Sequence, residues 1–101
     1  MTKTLVGETG DFATQAIKKV EAGGKKILVI KQGSTFSAIG DICTHMGCSL
    51  SVGTLDNGTI RCRCHGSVFD TATGKVVKGP AQRPEPSFPV TVENGKLFVD
   101  V

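Results

Sequence analysis

The chain has 101 residues, 39% of them hydrophobic and 21% charged, and a net charge of +3; this is the size and composition of one globular domain, expected to span residues 1–101. Its longest uninterrupted apolar run, Ile27-Leu28-Val29-Ile30, falls far short of the roughly 20 residues that a membrane helix needs. The first twenty residues carry Lys3, Glu8, Asp11, Lys18 and Lys19 and no apolar block, so no signal peptide or membrane anchor is expected, and a cytoplasmic location is. Nucleic-acid binders concentrate positive charge and interleave aromatics; here the only basic doublets are Lys18-Lys19 and Lys25-Lys26, with no Trp or Tyr, so nucleic acid is not an expected partner.

In chain order, residues 11–22 place Ala13, Ala16, Ile17 and Val20 at helical spacing behind a candidate N-cap, Asp11, with Gly23-Gly24 as the stop. Residues 15–20 of the same stretch also fit a strand. Lys25 to Lys31 is rich in β-branched and aliphatic residues and reads as a strand, turned by Gln32-Gly33-Ser34 into a second over Thr35 to Ile39. Asn57-Gly58 marks a hairpin turn, and Ser67–Asp70 and Lys75–Val77 flank another at Thr71 to Gly74. Phe88, Val90 and Val92 alternate into an Asn94-Gly95 turn, and Leu97, Val99 and Val101 alternate back. The expectation is a mainly-β, antiparallel domain of about eight to ten short strands. All four prolines fall between Gly79 and Pro89; lacking backbone donors, this span is either an ordinary surface crossing or a stiff loop held over something that must be covered.

Cysteine and histidine carry the chemical signal. All four Cys and both His lie within the 23 positions from Cys43 to His65, and crowding of the whole soft-ligand inventory points to a metal site. Two segments hold them: Cys43-Thr44-His45-Met46-Gly47-Cys48 and Cys62-Arg63-Cys64-His65-Gly66-Ser67. Each offers a mixed pair, Cys43-x-His45 and Cys62-x-x-His65. Two thiolates and two imidazoles suit iron or zinc alike, but a zinc finger takes two Cys from one knuckle and two His from a helix, which is not this arrangement.

With their flanking residues, C-T-H-M-G-C, C-R-C-H-G-S and the Gly79-Pro80-Ala81 of the proline span resemble the cluster-binding boxes of the Rieske family over about residues 25–101. The resemblance implies a Rieske-type antiparallel β-sandwich with a small cluster-binding subdomain at about 40–82, and one [2Fe–2S] cluster per chain. Cys43 and Cys62 would bind one iron, and His45 and His65 the other. Neutral imidazoles leave such a cluster less negative than an all-thiolate one, which moves its potential into the range of about −150 to +300 mV. Cys48 and Cys64 would form a disulfide between the two boxes, as in Rieske subunits of cytochrome bc complexes; the bland alternative is two reduced, buried thiols. Ser67 matches the serine whose hydroxyl donates to a bridging sulfide and raises the potential. Phe69 stands where high-potential relatives carry a tyrosine and cannot donate, so the expected potential is intermediate to high.

The function expected from these residues is a soluble one-electron carrier between redox proteins: a reductase on one side and an oxygenase, cytochrome or other acceptor on the other. With every iron position filled by protein and no catalytic group beside the cluster, it is not expected to be an enzyme alone. A detached relative of the respiratory Rieske subunit is the alternative within the same chemistry. A structural zinc-binding interaction module, or a reactive-thiol enzyme using Cys43 or Cys62, would belong to other classes.

Overall fold

In the computed structural model the described residues are 3–43, 47–64 and 66–101. Among them run eleven strands: β1 (Lys3–Glu8), β2 (Ile17–Ala22), β3 (Lys25–Gln32), β4 (Thr35–Gly40), β5 (Thr54–Asp56), β6 (Thr59–Arg61), β7 (Val68–Asp70), β8 (Val76–Lys78), β9 (Ser87–Phe88), β10 (Val90–Glu93) and β11 (Lys96–Asp100). They form three antiparallel sheets, ordered β1-β11-β10, β2-β3-β4-β9 and β5-β6-β7-β8. The only helical pieces among the described residues are single 3-10 turns at Thr9–Phe12 and Leu50–Val52.

The apolar run of β3 explains the layering. Successive side chains of a strand point to opposite faces, so a run apolar at every position wants cover on both. Ile27 and Val29 pack with Phe12, Leu97 and Val99, whereas Leu28 and Ile30 pack with Ile39, Leu50, Ile60 and Phe69. Each of these β3 side chains is fully buried, worth about 1.5–3 kcal/mol apiece. β3 therefore lies between two cores, one toward the terminal strands and one toward the β5–β8 sheet.

The helical spacing at residues 11–22 is overruled, and the strand reading of the same stretch holds. Thr9–Phe12 makes one 3-10 turn, and Ile17–Ala22 pairs with β3 in a register running from Ile17↔Ile30 to Ala22↔Lys25. A free edge beside β3 offers a full ladder of backbone bonds, and that long-range pairing outweighs weak alanine spacing. Asp11 caps no long helix; its carboxylate accepts from the Glu8 N–H (2.9 Å) and from Lys18 Nζ (2.7 Å). Gly23-Gly24 is the tip of the β2–β3 hairpin and not a helix stop. In the last hairpin Leu97 and Val99 point inward as expected, but Val92 is 48% exposed because β10 is an edge strand.

The proline span favours the sharper of its two readings. Ala81 and Glu85 are buried along it, and Ala81 joins the core that contains Cys43 and Cys62. The Glu85 N–H donates to the Gly74 carbonyl at 2.8 Å, which ties the span to the β7–β8 turn. At Pro89, where no backbone donor exists, the chain leaves β4 for the terminal sheet.

Candidate metal centre

Two hairpin loops approach each other beside the inner core, and they are built alike. In the first, Ile42 bridges Ser49, the Cys43 N–H donates to Cys48 O (2.7 Å) and the Gly47 N–H to Cys43 O (2.9 Å). In the second, Arg61 pairs with Val68, the Cys62 N–H donates to Ser67 O (2.7 Å) and the Gly66 N–H to Cys62 O (3.0 Å). Gly47 and Gly66 hold equivalent positions with φ of 74° and 78°, a left-handed conformation that glycine adopts without strain. Cys43 and Cys62 therefore open equivalent loops, and both are buried cysteines outside the disulfide, in one apolar cluster. His45 and His65 lie outside the described residues.

Cys48 and Cys64 are joined in a disulfide that links the two loops. The sulfurs of Cys48, Cys62 and Cys64 lie within 4.8 Å of one another, but the two in the disulfide have no thiolate to offer a metal. The ligand sulfurs available among the described residues are those of Cys43 and Cys62.

Ser67 is 0% exposed, and its Oγ accepts from the Ala81 N–H at 3.0 Å. No acceptor for its own O–H is recorded among the described residues. A buried hydroxyl with no acceptor among the described residues, on the loop that the buried Cys62 opens, fits a centre that presents sulfide to it. Phe69, fully buried in the same core, contributes packing and no donor.

Spacing alone does not reveal the support of the first loop. Asp41, 0% exposed, accepts from Ser49 Oγ (2.7 Å) and the Ser51 N–H (3.0 Å), with Lys19 Nζ 3.5 Å away. Its backbone N–H donates to Lys26 O (3.1 Å), so one residue ties the Cys43 loop to β3. The available signal was an acid one residue before Ile42-Cys43, with two serines after the box. Across the other loop, a Cβ on Gly53 would stand 2.2 Å from the Arg61 carbonyl oxygen, so the 3-10 turn after Cys48 sits directly on β6. Thr71, also buried, donates through Oγ1 to Gln32 Oε1 (2.7 Å) or Gly58 O (3.1 Å), linking the β7–β8 turn to the end of β3. In that turn the Asp70 carboxylate accepts from the backbone N–H groups of Thr73 and Ala72; the Thr73 bond leads in holding its pKa below the ordinary aspartate value.

The model of the Rieske [2Fe-2S] domain family matches residues 2–89. The chain belongs to this family. A Rieske domain implies a [2Fe–2S] cluster, and the donor set just described fits one. The chain is 40% identical to the ferredoxin component of the p-cumate 2,3-dioxygenase system of Pseudomonas putida, covering 96% of this chain and 86% of that one. It is 34% identical to the ferredoxin component of biphenyl 2,3-dioxygenase from Rhodococcus jostii, covering 100% and 94%. Longer Rieske relatives match as well: the chain spans 52% of the cytochrome b6-f complex iron-sulfur subunit of Chlorobaculum tepidum, at 31% identity, and 15% of human apoptosis-inducing factor 3, at 34%. Among solved structures, a chain in the complex of reduced oxygenase and oxidized ferredoxin of carbazole 1,9a-dioxygenase superposes with a TM-score of 0.89 at 35% identity, covering 96% of this Rieske chain and 91% of that one. Among the described residues no helix is long and apolar enough to cross a membrane.

Proposed function

We propose that this Rieske protein is a one-electron carrier, taking an electron from a reductase and passing it to a terminal oxygenase, and that it is not an enzyme alone. The observation that carries this reading is the pair of equivalent loops, each opening on one buried cysteine outside the disulfide. The [2Fe–2S] group, when bound, supplies a single one-electron couple. Cys43 and Cys62 hold one iron as thiolates, and His45 and His65 hold the other. Residues 1–101 act as one domain, with residues from about 40 to 82 as the part that holds the metal. The Cys48–Cys64 disulfide keeps the two loops at a fixed separation, and the Ala81 N–H holds the Ser67 hydroxyl in place. Leu50, Ile60 and Phe69 exclude water behind the two thiols. The relatives that the chain covers almost end to end are named as ferredoxin components of dioxygenase systems, which supports the oxygenase as acceptor; the site of action that goes with this reading is the cytoplasm. The disulfide favours a second reading, a detached relative of the quinol-oxidising complexes.

Visible absorption and EPR of the purified protein before and after dithionite, followed by redox titration, test both. A Rieske-type signal on reduction, with iron and sulfide near two each, is expected. A midpoint near the lower bound of the family range supports the oxygenase carrier, and one well above zero the second reading. A colourless protein holding stoichiometric zinc after anaerobic preparation with iron would overturn both.

A further inference from the structure

Beside the second loop lies a cleft of about 470 Å³ lined by Thr54, Arg61, Cys62, Arg63, Cys64 and Gly66. Two guanidinium-bearing residues flank it, both exposed, and among the described residues neither makes an ion pair. The Arg61 guanidinium lies beside the loop: a Cβ on Gly66 would stand 3.3 Å from one of its terminal nitrogens. No acidic residue lines the cleft, and the nearest acid in sequence on the first loop, Asp41, is buried and turned to Ser49, Ser51 and Lys19. The cleft lining itself is therefore positive, with Asp56, which shares the strand face of Thr54, as the neighbouring acid on β5. The Cys62–Cys64 segment forms part of the cleft's lining, so an occupant lies close to a residue assigned above as an iron ligand.

We infer that the Arg61–Arg63 cleft is the docking site for a carboxylate-bearing face of an acidic electron-accepting protein. The inference rests on the electron-carrier reading and deepens it by assigning the partner's charge. Arginine forks pair with carboxylates through two parallel hydrogen bonds, which fixes orientation as well as attraction. Two unpaired cations at the rim of a docking site act mainly on association rate and on its salt dependence.

Two electron-accepting proteins of opposite charge serve as probes: plastocyanin, with an acidic docking face, and cytochrome c, with a basic one. Each accepts one electron from the dithionite-reduced protein, so the cluster is oxidised as the copper or haem iron is reduced. The expected result is faster oxidation by plastocyanin at low salt, falling as ionic strength rises. In the Arg61→Gln/Arg63→Gln variant the plastocyanin-to-cytochrome c rate ratio falls roughly tenfold. Taking the ratio cancels any change in driving force. The Lys3→Gln/Lys96→Gln variant loses the same charge from the terminal sheet and keeps the wild-type ratio. Isothermal titration calorimetry with oxidised plastocyanin reads binding without electron transfer, and its Kd weakens with the arginine pair only. Equal losses in both variants, or no wild-type preference for plastocyanin, would overturn the inference. If no Rieske signal appears on reduction, the carrier reading falls, while the calorimetry still decides whether the cleft binds an acidic face.

Discussion

The terminal half of the molecule and the loop-bearing half are held together by different means. β1, β2, β3 and β4 run for six to eight residues and close over a core of Phe12, Ile27, Val29, Leu97 and Val99. β5, β6, β7 and β8 are three residues each, too short for a ladder to stand alone. What that half lacks in ladder it makes up in cross-links and close backbone contacts: the disulfide, the Asp41 bonds, Gly53 against Arg61, Gly74 against Glu85 and, in the proposed function, the metal. Small structures that cannot bury enough apolar area depend on such staples.

The sharpest way to break this contrast is a matched pair of glycine substitutions. Gly74 and Gly24 have similar φ, 78° and 75°, but a Cβ on Gly74 would stand 2.1 Å from the Glu85 carbonyl oxygen, whereas one on Gly24 meets nothing within 4 Å. Gly74→Ala is expected to cost about 3–4 kcal/mol, from backbone displacement added to the left-handed strain, and Gly24→Ala only about 1 kcal/mol. Urea denaturation of the two variants measures the difference, and equal losses would refute the close-contact account. The disulfide comes next. Cys48→Ser/Cys64→Ser is expected to lower stability by about 3 kcal/mol for its separation of 16 residues. Hydrogen exchange should show the loss first in β5–β8, and a uniform loss across all three sheets would argue against a local staple.

A subtler effect is expected at Ser67. Ser67→Ala leaves the Ala81 N–H without its recorded acceptor, which costs about 1–3 kcal/mol of stability. In the cluster-bearing protein it also lowers the midpoint by roughly 40 mV if the lost bond differs by about 1 kcal/mol between redox states. Protein-film voltammetry reads the second effect, and an unchanged midpoint would leave Ser67 a purely structural role. The smallest effect is a pH dependence at Asp70. A carboxylate whose folded pKa is depressed contributes stability that is present above its unfolded pKa and lost as pH falls through the folded one. The urea midpoint should therefore fall with acidification below the ordinary aspartate range, and Asp70→Asn should flatten part of that fall.

What was legible in the sequence was local. The β3 run, both Asn-Gly hairpins and the two Cys-His boxes announce themselves because each is specified by neighbours in the chain. Ile17–Ala22 was ambiguous because its partner, β3, supplies the decisive bonds from outside the window. Asp41, Gly53 and Gly74 were invisible as structural determinants for the same reason: each acts on groups ten or so residues away or on another segment. The boxes pointed to Cys43 and Cys62 as ligands and to Ser67 as a donor, but not to the shared hydrogen-bond pattern that makes the two loops equivalent.

The two-faced burial of β3 has a dynamic consequence. Because alternate side chains of one strand serve both cores, neither layer can peel away without stripping half the packing from the other. The amides of β3 should then exchange with solvent only through global opening, at one shared free energy, while β5 and β8 at the sheet edge exchange through smaller local events. Thermal wear at that edge would in this way be kept from spreading inward: the short edge strands can open many times for every occasion on which the whole chain lets go.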